Sequence, residues 1–122
     1  MTLKNVLLTN AVSSGITGII LAYMPGFFAK LFKVDTTAPF VEVGIFLTVF
    51  SLFVLFTAFK NPIWKSFTKV IIALDITWVI ASIIAVVLLF SSISLVGSVL
   101  IIAIAGWVGL MAYFQNKTLN KI

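Results

Sequence analysis

The sequence predicts an all-α integral membrane protein: a four-helix up-down bundle with a short amphipathic interfacial segment between helices 1 and 2. Three observations predict it. Of 122 residues, 62% are hydrophobic and 9% charged, whereas a soluble domain carries about a quarter charged residues. Four apolar runs, about 6–23, 39–59, 68–90 and 98–115, each approach the roughly 20 residues that cross a bilayer core. The lysines gather at the ends of these runs, where membrane proteins keep them. One transmembrane domain over 1–122 accounts for the whole pattern.

The first run begins after Lys4, as a signal peptide would. It is long for a signal segment, carries Asn10, and ends in Pro25-Gly26-Phe27-Phe28, a poor cleavage site; the expectation is a retained helix. On a helical wheel Asn10, Ser13, Ser14 and Thr17 form a polar stripe, with Ala11, Gly15, Gly18 and Ala22 as a small-residue edge beside it. Small residues let backbones approach, and hydroxyls and amides are expected to bond across the contact. The competing reading makes Asn10 the lining of a cavity.

From Pro25 to Asp35, Phe27, Phe28, Leu31 and Phe32 share one side while Lys30 and Lys33 fall away from it. That pattern suits a short helix lying in the headgroup region. Asp35-Thr36-Thr37-Ala38-Pro39 is a turn, with Thr37 or Ala38 starting the next helix ahead of Pro39. In that helix Glu42 belongs to the first turn, close to water and favoured by the helix dipole. Gly44, Thr48 and Ser51 share the expected contact face, and Glu42 points away from it. Glu42 is therefore a secondary site candidate, read first as a solvated interfacial carboxylate. Lys60-Asn61-Pro62-Ile63-Trp64-Lys65 breaks the helix at Asn-Pro and places Trp64 as an aromatic anchor between lysines.

The third run contains the most unusual residue of the chain. Asp75, Trp78, Ser82 and Ala85 lie on one face at i, i+3, i+7 and i+10. Counted from Lys69, Asp75 lies about 9 Å along the helix. Insertion of an ionised aspartate at mid-helix costs about 2.5–3.5 kcal/mol. A functional site is the default hypothesis for such a residue. The structural alternative is a protonated or hydrogen-bonded Asp75 that fastens helix 3 to helix 1, with Asn10 as its partner from the same side of the membrane. Asp75, Asn10, Trp78, Ser82, Ser14 and Thr17 make up the expected ligand or proton site. In the fourth helix Ser98, Ala105, Gly109 and Ala112 form a small face, Trp107 lies opposite, and Gln115 onward reads as a polar tail.

Lysine placement also predicts topology. One side would carry Lys4, Lys60, Lys65, Lys69, Lys117 and Lys121, and the other Lys30 and Lys33. The positive-inside rule then puts both termini in the cytoplasm. The net charge of +5 does not indicate nucleic acid, because the lysines are scattered at segment ends.

The chemistry the sequence lacks narrows the function. There is no cysteine, no histidine and no arginine; all eight basic residues are lysine. No nucleophile–base pair, no metal cluster and no phosphate loop can be drawn, so neither an enzyme nor a cofactor or metal is expected. The run Asn10-Ala11, Met24-Pro25-Gly26 closing helix 1, Leu74-Asp75-x-x-Trp78-Val79 with Ser82, and Gln115 ending helix 4 resembles small four-helix bacterial membrane proteins, DoxX-like in layout. The resemblance implies a four-helix fold in the bacterial cytoplasmic (inner) membrane and carries no activity. Three functional readings follow. The first is an accessory or structural membrane subunit, partnered by membrane lipids and by a homo-oligomer or larger membrane complex. The second is a small proton-coupled transporter or channel using Asp75. The third is a protein that binds a lipid or other hydrophobe beside Trp78.

Overall fold

A computed structural model describes residues 2–60 and 62–120. Asn61 and Lys121, which entered the reading of the helix break and of the charge balance, lie outside the described residues. Five helices and no strands occur among the described residues: α1 (Leu3–Tyr23), α2 (Pro25–Phe32), α3 (Ala38–Ala58), α4 (Lys65–Leu89) and α5 (Leu95–Leu119). Four of them, α1, α3, α4 and α5, are long and apolar enough to cross a membrane. At 21 and 25 residues they measure about 31 and 37 Å.

The helices overrun the apolar segments mainly at one end. α1 starts at Leu3, where the Thr2 side chain accepts from Asn5 N–H at 3.2 Å. α4 starts at Lys65, and α5 starts at Leu95 because the Ser94 hydroxyl caps Gly97 N–H at 3.0 Å. Hydropathy marks where side chains turn polar, whereas the backbone ladder continues until a cap or proline stops it. The clearest departure is at the far end of α5. The stretch expected to be a polar tail from Gln115 remains helical to Leu119, and Gln115, Thr118 and Leu119 are buried. α3 begins at Ala38, with Thr37 as N-cap, so Glu42 falls just past the first turn rather than inside it.

α1 packs most extensively on α3, and α4 on α5. The two pairs meet mainly where α1 lies against α5; α3 touches α4 sparingly. The α1–α3 seam is closed by glycine. A Cβ on Gly44 would stand 2.6 Å from Ala22 N and 2.7 Å from Gly18 O, and one on Gly18 would stand 2.8 Å from Gly44 O and Thr48 N. Gly15 meets Ser51 on the same seam. The small edge of the first helix and the Gly44–Thr48–Ser51 face of the next are therefore the surfaces in contact. Among the described residues, hydroxyls do not bridge the seam as expected. Thr48 donates to Gly44 O at 2.8 Å and Ser51 to Thr48 O at 2.7 Å, each within its own helix, the usual resort of a serine or threonine inside a helix.

Two ends can be distinguished. At one, Leu3, Leu7, Ala58, Ile71 and Leu119 share a core cluster with Ala11, Phe50 and Val54. At the other, α2 docks on the start of α5. Ser94 N–H and Oγ donate to Phe32 O and Leu31 O at 2.9 and 2.7 Å, and the Phe32 ring covers Gly97 and meets Phe40 edge-on. α2 is thus half packed against the protein, with Lys30 and Phe27 exposed. It ends on Lys33 in the left-handed conformation (φ 58°), with Val34 N–H bonded to Ala29 O. That is the helix stop usually given to glycine.

Burial is inverted relative to a water-soluble bundle. Asn10, Thr57, Thr68, Asp75, Gln115 and Thr118 are inside, while Val12, Val49, Leu52, Ile80, Ile102 and Leu110 face outward. An apolar exterior of this extent marks a surface made for lipid or for another protein.

Candidate functional site

Three helices contribute one side chain each to a buried polar cluster. Asn10 comes from the third turn of α1, Asp75 from the middle of α4, and Gln115 from the last turns of α5; they are 2%, 3% and 0% exposed. Gln115 Nε2 donates to Asp75 Oδ2 at 2.8 Å, and Asn10 Nδ2 donates to the same oxygen at 3.0 Å. Asn10 Nδ2 also donates to Gln115 Oε1 at 2.8 Å, closing the triangle. Ser14 Oγ then donates to Asn10 Oδ1 at 2.9 Å, one turn along α1. The other amide-bearing atom of Asn10 is thereby engaged, and the asparagine is held from both ends.

The local sequence explains why these three meet. Asn10 belongs to the polar stripe of α1, beside the small edge that packs on α3, and its side chain reaches α4 and α5. Asp75 shares its face of α4 with Trp78 and Ser82. Gln115 follows Ala112 by three residues on the inward face that also holds Ser98 and Ala105. That phase was available in the sequence. Gln115 was missed because the apolar run ends there, which placed it at the edge of the membrane instead of on the inner face of a helix that continues.

The remaining candidates separate from this cluster to different degrees. Ser82 is buried two turns along α4 from Asp75, and Thr17 is half-buried one turn beyond Ser14's neighbourhood on α1. Trp78 turns toward α3, where its indole stacks on Phe46 with ring centroids 6.1 Å apart and planes 1° apart. Its Nε1 is buried and has no hydrogen-bond partner among the described residues, and the same holds for Ser98 Oγ. Trp107 is 43% exposed. Glu42 is exposed at the opposite end of the molecule from the cluster. Comparison with protein-family models, with curated proteins and with solved structures finds no match.

Chemically, the cluster offers one carboxylate held by neutral amides. Both groups that donate to Asp75 Oδ2 are carboxamides, so no cation compensates it there. Each amide donor lost from a buried carboxylate exposes the full cost of an unsatisfied polar group. Among the described residues no three His, Cys, Asp or Glu side chains converge as a metal site would need.

Proposed function

We infer that the chain is an integral membrane protein, a four-helix up-down bundle that acts as an accessory or structural subunit, with Asn10, Asp75 and Gln115 as the clamp that sets α1 against the α4–α5 pair. The observation that carries this reading is the closed triangle of hydrogen bonds at 2.8–3.0 Å among three nearly inaccessible side chains. In hydrocarbon such groups have no water to turn to, so they favour the one arrangement in which they satisfy one another. The cytoplasmic placement of both termini is supported by Lys4, Lys60, Lys65, Lys69 and Lys117 at one end against Lys30 and Lys33 at the other. The bacterial inner membrane is supported by the DoxX-like layout.

The test is Asp75→Asn, which keeps an oxygen to accept both bonds. A structural clamp predicts an inserted, folded protein whose stability or assembly changes and whose vesicles show no Asp75-dependent flux. The second reading, a proton-coupled transporter, is favoured by the neutrality of Asp75's partners. A carboxylate that is not ion-paired can gain and lose a proton without breaking a salt bridge. It predicts proton-linked uptake in proteoliposomes that disappears in Asp75→Asn. Uptake of that kind, measured with an entrapped pH dye, displaces the structural reading.

A further inference from the structure

We propose that the lysine-rich end of the protein binds one anionic phospholipid, with an acyl chain in the groove formed by Leu52, Leu55, Phe56 and Phe59 and the phosphate at Lys60, with Lys4 beside it. The inference rests on the membrane reading above and goes beyond it by naming the lipid class and the residues.

The groove follows from the helix itself. Leu52, Phe56 and Lys60 form one i, i+4 row along α3 and its C-terminal end, and Leu55 and Phe59 form the next. Side chains at that spacing stand as parallel ridges with a furrow between them. Among the described residues no neighbouring helix lines this furrow. It is an open furrow of about 360 Å³, lined among the described residues by those five. Leu52 and Phe59 are each 61% exposed and Phe56 51%. From Leu52 to Phe59 it runs about 10 Å along the axis, toward the end of the helix and the water.

Charge decides the occupant. The lining is apolar except at its mouth, where Lys60 continues the Leu52–Phe56 ridge. Lys60 Nζ sits 4.3 Å from the centre of the Phe56 ring and 5.0 Å from that of Trp64, and Lys4 Nζ sits 5.1 Å from that of Phe59. Contacts of this kind hold a cation over a ring face while leaving its remaining N–H groups for an anion. Lys60 thus lines the groove, and Lys4 stands by Phe59 at its edge. The same end carries Lys65, Lys69 and Lys117, whereas the surface carboxylates Asp35 and Glu42 belong to the opposite end. An apolar slot that leads to Lys60, with Lys4 close by, complements an acyl chain that ends in a phosphodiester. A zwitterionic lipid would bring a second cation to the same place.

Native mass spectrometry of the protein released from nanodiscs of equal phosphatidylglycerol and phosphatidylcholine tests the proposal. One phosphatidylglycerol should be retained in preference to phosphatidylcholine. Lys60→Gln should weaken that retention about five-fold, the equivalent of about 1 kcal/mol per basic residue near an anionic headgroup. Lys60→Arg should restore it, and Leu55→Trp, which fills the furrow, should reduce it with every lysine intact. Equal retention of the two lipids overturns the site. So does an equal loss on Lys117→Gln, a lysine of α5 outside the groove, because the attraction would then be diffuse. Protein that does not enter the bilayer overturns the membrane reading, and the lipid site with it; protein that enters and shows no preference overturns the lipid site alone.

Discussion

α1 is held on its two sides by opposite means. Toward α3 it presents Gly15, Gly18 and Ala22, and the helices approach until Gly44 has no room for a methyl group. Toward α4 and α5 it presents Asn10, which reaches Asp75 and Gln115 by its side-chain amide. The first contact is limited by volume and indifferent to chemistry, since the hydroxyls along it bond to their own helices. The second is limited by chemistry, since each of its members would be a buried orphan without the others. Under the membrane reading proposed above, helices deprived of the hydrophobic effect between them have these two resources left, and this chain assigns one to each side of the same helix.

The largest effect should come from the steric side. Gly44→Ala puts a methyl carbon 2.6 Å from Ala22 N, and backbone cannot yield as a side-chain tip can. A loss of about 3 kcal/mol, the upper part of the overpacking range, is expected from denaturant titration in mixed micelles. Gly106→Ala is the matched control: its Cβ meets nothing within 4 Å, so it should be neutral or stabilising by up to about 1 kcal/mol through helix propensity. Equal behaviour of the two would break the contrast.

On the polar side, Gln115→Leu removes a donor from Asp75 and an acceptor from Asn10 together. A loss of about 2 kcal/mol is expected by the same titration, and Asn10→Ala in the Gln115→Leu background should cost much less than it does alone. Polar pairs in membranes couple by about 0.6 kcal/mol on average and up to about 1.7, so a measured coupling near zero would mean that the triangle does not act as a unit.

The smallest effect sharpens the comparison further. Gly44→Ala and Gln115→Leu act on different sides of α1 and share no partner. Their double variant should be additive within about 0.5 kcal/mol. A larger deviation would show that closing the seam with α3 sets the position of Asn10.

The two sides also differed in how far they could be read from the sequence. The glycine seam was legible because helical periodicity alone puts Gly15, Gly18 and Ala22 on one edge and Gly44, Thr48 and Ser51 on one face. The four long helices were legible from composition and run length. Asn10 and Asp75 were legible as a pair from their depth. Gln115 was not, because hydropathy ends the apolar run where the helix does not end, and the same error hid Thr118 and Leu119. The pairing of Trp78 with Phe46 was also out of reach: nothing in the phase of α4 tells which neighbour a large ring will meet. Nor does periodicity show that serine and threonine hydroxyls will choose their own helix carbonyls over a neighbour.

The burial of Leu119 beside Leu3 has a consequence for biogenesis. A ribosome delivers Leu3 first and Leu119 last of the residues in that cluster, and Asn10 finds its two partners only 65 and 105 positions later. The α1–α3 pair can close on its own glycines as soon as α3 emerges, but Asn10 then waits for its partners until α4 and α5 follow. Early assembly is therefore driven by shape, and the final turn of α5 completes the cluster.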